Sequence, residues 1–174
     1  MKKFTLTLLA VLFSFTAFAQ QTYDTDFTQT KLMKVSGKTT NKAGHMTFDG
    51  IDHLAMNYNE PDGDYFIIDG NNVKINMDGK KVELDANKAK MVGLQRSTLL
   101  NCLAGNLEQA AADNNAEMTV TEEKGLRTVA IVAKGKVAKG GYKSVVITYQ
   151  IPDGSMVEME LEEAAGIINT YKLK

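Results

Sequence analysis

Only one cysteine, Cys102, occurs in the 174 residues, so no disulfide can form within the chain. Tryptophan is absent, proline occurs twice, and His45 and His53 are the only imidazoles. Catalytic and metal chemistry therefore have few residues to draw on. The two histidines stand eight apart, with no cysteine or carboxylate at a metal-ligand spacing, and read as solvated strand or loop residues. Cys102 falls on the apolar face of a predicted helix and reads as a small buried hydrophobe rather than a nucleophile. No G-x-S-x-G elbow, P-loop or G-x-G-x-x-G occurs. Asp62, Asp64 and Asp69 resemble part of a calcium loop, but the closing Glu at its proper spacing is missing; they read as turn residues. Neither an enzyme nor a cofactor is indicated, and no metal site is expected.

Long apolar runs are confined to the first residues. Lys2 and Lys3 precede a charge-free, mostly apolar stretch from Phe4 to Phe18, and Ala17-Phe18-Ala19 has the small-x-small form of a cleavage site. The stretch is too short to span a bilayer and polar chain follows it. The expectation is a signal peptide over residues 1–19 and one exported, soluble domain over 20–174. Gln20 and Gln21 stand where a lipid-anchored protein needs cysteine, so the domain is expected free in the periplasm. Once Lys2 and Lys3 are removed, 18 basic residues face 21 acidic ones. A mildly acidic domain without a basic run argues against nucleic acid as partner and against an electrostatic membrane-surface module. Four of the seven phenylalanines leave with the signal peptide, whereas eight of nine methionines stay. Methionine is flexible and suits a surface that adapts to variable apolar ligands.

What is present is alternation. Phe27 to Val35 reads as a first strand and Gly37 to Gly44 as a polar connection. Met46 and Phe48 open a second strand, interrupted at Gly50-Ile51-Asp52 as by a bulge or tight turn. Leu54, Met56 and Tyr58 alternate with His53, Ala55 and Asn57, the period of a half-buried strand. Turn sequences at Pro61 to Asp64, Asp69 to Asn72 and Asp78 to Lys80 separate Tyr65–Ile68, Val73–Met77 and Val82–Leu84. From Ala86 to Ala112 the texture becomes helical: Met91, Leu94, Leu99, Cys102 and Leu103 share a face, and Gly93 and Gly105 are expected to divide the segment. Strands return from Met118 to Leu173, with Val157, Met159 and Leu161 alternating against Glu158, Glu160 and Glu162. Hairpin-like connections imply an antiparallel sheet. The predicted fold is mainly β with a helical insert: a half-open antiparallel barrel whose concave apolar face is covered by short helices. The candidate groove residues are Met46, Phe48, Leu54, Met56, Tyr58, Met77, Met91, Leu94 and Leu99.

Phe27-Thr28-Gln29, followed by Gly44, Met46, Phe48, Leu54, Met56, Pro61, Asp69 and Gly70, resembles the pattern of the outer-membrane lipoprotein carrier (LolA-like) family. Tyr171-Lys172-Leu173 sits where that family has a late strand. The resemblance implies a half-open barrel with a helical lid, binding lipoprotein acyl chains or other lipids and moving them toward the outer membrane. It also implies an inner-membrane release complex and an outer-membrane acceptor as partners, and no bond made or broken. A monomer is expected. The alternative is a module of the same fold that binds a protein, as an envelope-stress sensor or assembly factor, without lipid cargo. The chain departs from the family where an Arg-Pro pair is replaced by Gly50-Ile51, where a Trp is replaced by Met56, in having no room for an N-terminal lid helix ahead of Phe27, and in lacking the last strand. Because the Arg is a latch in the family, the expectation here is a shallower, permanently open groove with Met-rich walls partly exposed when empty.

Overall fold

The computed structural model describes residues 21–60, 62–138 and 140–174; the expected signal peptide lies outside them. Six strands come first: β1 (Tyr23–Met33), β2 (Lys38–Phe48), β3 (His53–Glu60), β4 (Asp62–Asp69), β5 (Asn72–Met77) and β6 (Lys80–Asp85). Helices α1 (Lys90–Ala104) and α2 (Leu107–Asp113) follow, then β7 (Ala116–Glu123), β8 (Leu126–Ala133), β9 (Tyr142–Gln150), β10 (Met156–Glu163) and β11 (Ile167–Leu173). All eleven strands form one antiparallel sheet in the order β6-β5-β4-β3-β2-β1-β11-β10-β9-β8-β7. The first strand thus pairs with the last, from Phe27↔Leu173 to Met33↔Ile167. The edges β6 and β7 are the two strands that flank the helical insert, so the curved sheet stays open where the helices cross.

The predicted connection from Gly37 to Gly44 is corrected: those residues are mostly strand. Thr39, Thr40 and Asn41 pair with Leu32, Lys31 and Thr30, and the turn is confined to residues 34–37, where Gly37 takes a positive φ of 68°. β-branched threonine suits a strand better than the polar character of the stretch suggests. Gly50-Ile51-Asp52 is the β2–β3 turn itself rather than an interruption within one strand, with the Asp49 carboxylate accepting the N–H groups of Ile51, Asp52 and His53.

One face of the sheet is apolar. Phe27, Met46, Phe48, Leu54, Met56, Ile68 and Val73 on one side face Val129, Ile131, Val145, Ile147, Met159 and Leu161 on the other; all are buried. Burial of this alternating set against the helices is the main stabilising term. Gly105 ends α1 at φ 81°, and Asn106 N–H bonds Asn101 C=O at 2.8 Å, the wrap-around closure that glycine permits. Gly93 does not divide the helix as expected. A Cβ there would stand 2.8 Å from the Ala86 carbonyl, so this glycine lets the chain before α1 pass close to it.

Candidate lipid-binding cavity

The concave face carries a small apolar void of about 10 Å³, lined by Met46, Met56, Leu99, Leu103, Met156, Met159, Tyr171 and Leu173. That is room for about one water molecule. Four of the eight lining residues are methionines, drawn from β2, β3 and β10. Three predicted groove residues, Met46, Met56 and Leu99, line the void. Phe48, Leu54 and Tyr58 are buried on the same strands beside it. Met77 lies half-buried at the far end of β5, with its sulfur 3.6 Å from Lys42 Nζ. Met91 and Leu94 are half-buried on the first turns of α1; Met91 neighbours Gly140 rather than the void.

Leu103, Met156, Met159, Tyr171 and Leu173 were not among the predicted groove residues. The alternation of Met159 and Leu161 was legible. What was not legible is that β1 pairs with β11, which folds the last two strands against the first three. The expectation of exposed Met-rich walls is corrected: Met46 is 2%, Met56 5% and Leu99 7% exposed. The helices are seated on the sheet.

Polar ties hold them there. The Arg96 guanidinium on α1 donates to the Gly70 carbonyl in the β4–β5 turn, and the Gln95 amide donates to Gly140 C=O in the β8–β9 loop. α1 is thereby fastened to both halves of the sheet. The two helices form one unit: Asn114 Nδ2 donates to Thr98 Oγ1 at 2.7 Å and Ala110 C=O at 2.8 Å, and Ser97 Oγ donates to Asp113 at 2.9 Å. Gly50, which the resemblance sets at the family's Arg position, is buried in the β2–β3 turn at φ 88°, a conformation that resists any side chain.

At one end of the concave face the lining turns polar. Tyr58 Oη donates to Gln29 Oε1 at 2.9 Å; Gln29 Nε2 reaches Asn169 Oδ1 at 3.0 Å and Tyr171 Oη at 3.2 Å. Lys42 Nζ lies 2.6 Å from the buried Asp64 carboxylate and 5.4 Å from the centre of the Tyr58 ring. The Lys42 ammonium holds the Asp64 carboxyl below its ordinary range, aided by the Asp78 N–H. Burial pushes the Tyr58 and Tyr171 phenols upward, so both stay protonated. Burial raises the Cys102 thiol to about 12, which removes the thiolate that nucleophilic chemistry requires. Among the described residues, no group of three or more His, Cys, Asp or Glu is placed to hold a metal, and no helix is long and apolar enough to cross a membrane.

His45 is exposed, as expected, but it is not simply solvated. Its Nε2 meets Asp24 at 2.7 Å and its Nδ1 meets Asp26 at 2.9 Å. Asp24 and Asp26, two apart on β1, both stand exposed beside it. The Asp26 and then the Asp24 hydrogen bonds raise the imidazole above its ordinary value of 6.5.

An open antiparallel sheet wrapped around an apolar centre and covered by a seated helix pair defines a lidded binding fold. Residues 19–174 match the outer membrane lipoprotein carrier protein LolA family, and the chain belongs to that family of carrier proteins. No curated protein matches the chain. Similar solved structures include a LolA superfamily protein from Nitrosomonas europaea, at 9% identity over 90% of this chain and 86% of that one, TM-score 0.40. A DUF1329 family protein from Desulfovibrio piger aligns at 13% identity over 91% and 85%, TM-score 0.43. The lipoprotein LppX of Mycobacterium tuberculosis aligns at 9% over 87% and 85%, TM-score 0.34.

Proposed function

We propose that this chain is an exported carrier, cleaved after Ala19 and free in the periplasm, that takes acyl chains of lipoproteins or other lipids between the concave sheet and α1–α2. It moves them toward the outer membrane and makes or breaks no bond. One observation supports this most: the wall of the void is almost wholly apolar and rich in methionine, under a helix pair held to the sheet by a few polar ties. The void as it stands holds no acyl chain, so binding requires the helices to lift. Each methylene buried contributes about 0.8 kcal/mol, so a long acyl chain supplies on the order of 10 kcal/mol. That outweighs the Arg96 and Gln95 ties, each worth about 1–3 kcal/mol, where the acyl chain takes over the apolar contacts that α1 and α2 give up on lifting. The polar end at Tyr58, Gln29 and Lys42 suits the ester or headgroup end of such a ligand.

The tight closure favours a second reading, the same fold used as a protein-binding module with the helices permanently seated. Native mass spectrometry of protein purified from a membrane fraction separates the two. The carrier reading predicts copurified acylated species and uptake of a fluorescent fatty acid. Ligand-free protein that also refuses the probe, together with a stoichiometric protein partner, contradicts it.

A further inference from the structure

We infer that the basic end of the molecule, at the tip of the β1–β2 hairpin, docks on an anionic lipid bilayer. Val35 stands in that turn 94% exposed. A single exposed valine is ordinary, but three features coincide here. Turn positions favour Gly, Asn, Asp and Ser, and this one carries a β-branched apolar residue at the end of two 11-residue strands. Lys31, Lys34 and Lys38 flank it. The topology then brings two distant turns to the same place: Lys34 N–H bonds Gly166 C=O at 2.9 Å, and Ala164 N–H bonds Gly141 C=O at 2.8 Å. The β8–β9 loop so joined adds Lys134 and Lys136, and the start of β9 adds Lys143.

Carboxylates offset part of this charge. Glu162 lies 2.9 Å from Lys34 and 3.5 Å from Lys143, and Glu117 lies 3.5 Å from Lys134; Glu163 accepts from Asn169 at 3.2 Å. Lys31, Lys38 and Lys136 remain exposed. The adjoining β3–β4 turn is acidic, with Glu60 and Asp62, and the β5–β6 turn carries Asp78 beside Lys80 and Lys81. The β1–β2 hairpin extends beyond the β3–β4 turn, since Glu60 pairs with Ala43, five residues in from Lys38. At the opposite ends of the strands acidic residues predominate, with Asp49, Asp52, Asp69, Glu122, Glu123 and Asp153 against Lys88 after β6, Lys124 in the β7–β8 turn and Lys174 after β11. Ile51 in the β2–β3 turn there is 67% exposed without flanking lysines. The chain has no contiguous basic run and a net negative charge; the fold nevertheless leaves a local excess of cations around the β1–β2 tip and an excess of carboxylates at the other end. Such a charge distribution orients the molecule on an anionic surface. Lysine stems then lie along the interface with their ammonium groups at phosphate level, and Val35 enters between the headgroups.

Flotation with vesicles of phosphatidylethanolamine and phosphatidylglycerol, against phosphatidylcholine alone, tests this. The parent protein is expected to float with the anionic vesicles at low salt and to be released as salt rises. Val35→Asp is expected to lose at least about tenfold in vesicle affinity, as is a Lys31→Gln, Lys34→Gln, Lys38→Gln triple variant, while Ile51→Asp behaves like the parent. Fatty-acid uptake, measured on the same proteins from detergent-free solution, should be unchanged by Val35→Asp. This separates failure of docking from failure of the carrier reading and also reports correct folding. No association with anionic vesicles, full association of Val35→Asp, or an equal loss in Ile51→Asp overturns the inference.

Discussion

Gly44 sits between Phe27 and Tyr58 across three adjacent strands. A Cβ there would lie 2.2 Å from the Asn57 carbonyl and 2.9 Å from Tyr58 Cα, at a register shift that draws β2 and β3 together. Without a side chain at 44, the Phe27 and Tyr58 rings meet edge-on with centroids 5.3 Å apart, covering the bare backbone. Gly44→Val is therefore expected to destabilise by at least about 2 kcal/mol, read as a lower urea midpoint. His45 gives a pH signature of opposite chemistry. Its folded value is raised, so its stabilising contribution is complete below the ordinary 6.5 and is lost as pH rises through the raised value. Thermal melts of the parent should therefore lose stability across that interval relative to His45→Gln; parallel curves would contradict the assignment. The exposure of His45 was legible in the sequence. The clamp was not, because Asp24 and Asp26 meet His45 only through the β1–β2 register.

The helical insert is where element-scale behaviour concentrates. α1 and α2 are cross-tied to each other by Thr98, Asn114, Ser97 and Asp113, yet meet the two halves of the sheet through Arg96 and Gln95. They should move as one body. Arg96→Ala removes the tie to Gly70, and is expected to increase hydrophobic-dye binding and speed release of a bound fatty acid, with only about 1–3 kcal/mol lost in global stability. Dye binding equal to the parent's would mean that the helices do not lift. Cys102 reports the same motion, being a fully buried residue of α1 and the sole thiol in the sequence. Its reaction with a thiol reagent should accelerate in Arg96→Ala. Much at this scale was legible: the alternating strands, the helical stretch and its division at Gly105 follow from period and glycine placement. Gly93 misled because a helix glycine can serve a close approach as well as an end. The seated lid was not legible, since its ties are Arg96 and Gln95 reaching backbone carbonyls 26 and 45 residues away in the chain.

For the whole molecule, the closing pair β1–β11 decides the site. It brings Met156 and Met159 to the same void as Met46 and Met56, and so turns two separate apolar faces into one enclosed space. Only part of that wall could be named from the sequence, because the alternation marks the buried face of each strand but not which strands become neighbours across the chain. The central claim is that acyl chains occupy this space under the helices. Photoactivated labelling with a diazirine fatty acid, followed by peptide mass spectrometry, tests it most directly. The account predicts adducts on the peptides carrying Met46 and Met56, Met156 and Met159, and Leu99 and Leu103, reduced by unlabelled palmitate. Labelling confined to the outer face of the sheet, or none that palmitate displaces, would contradict it.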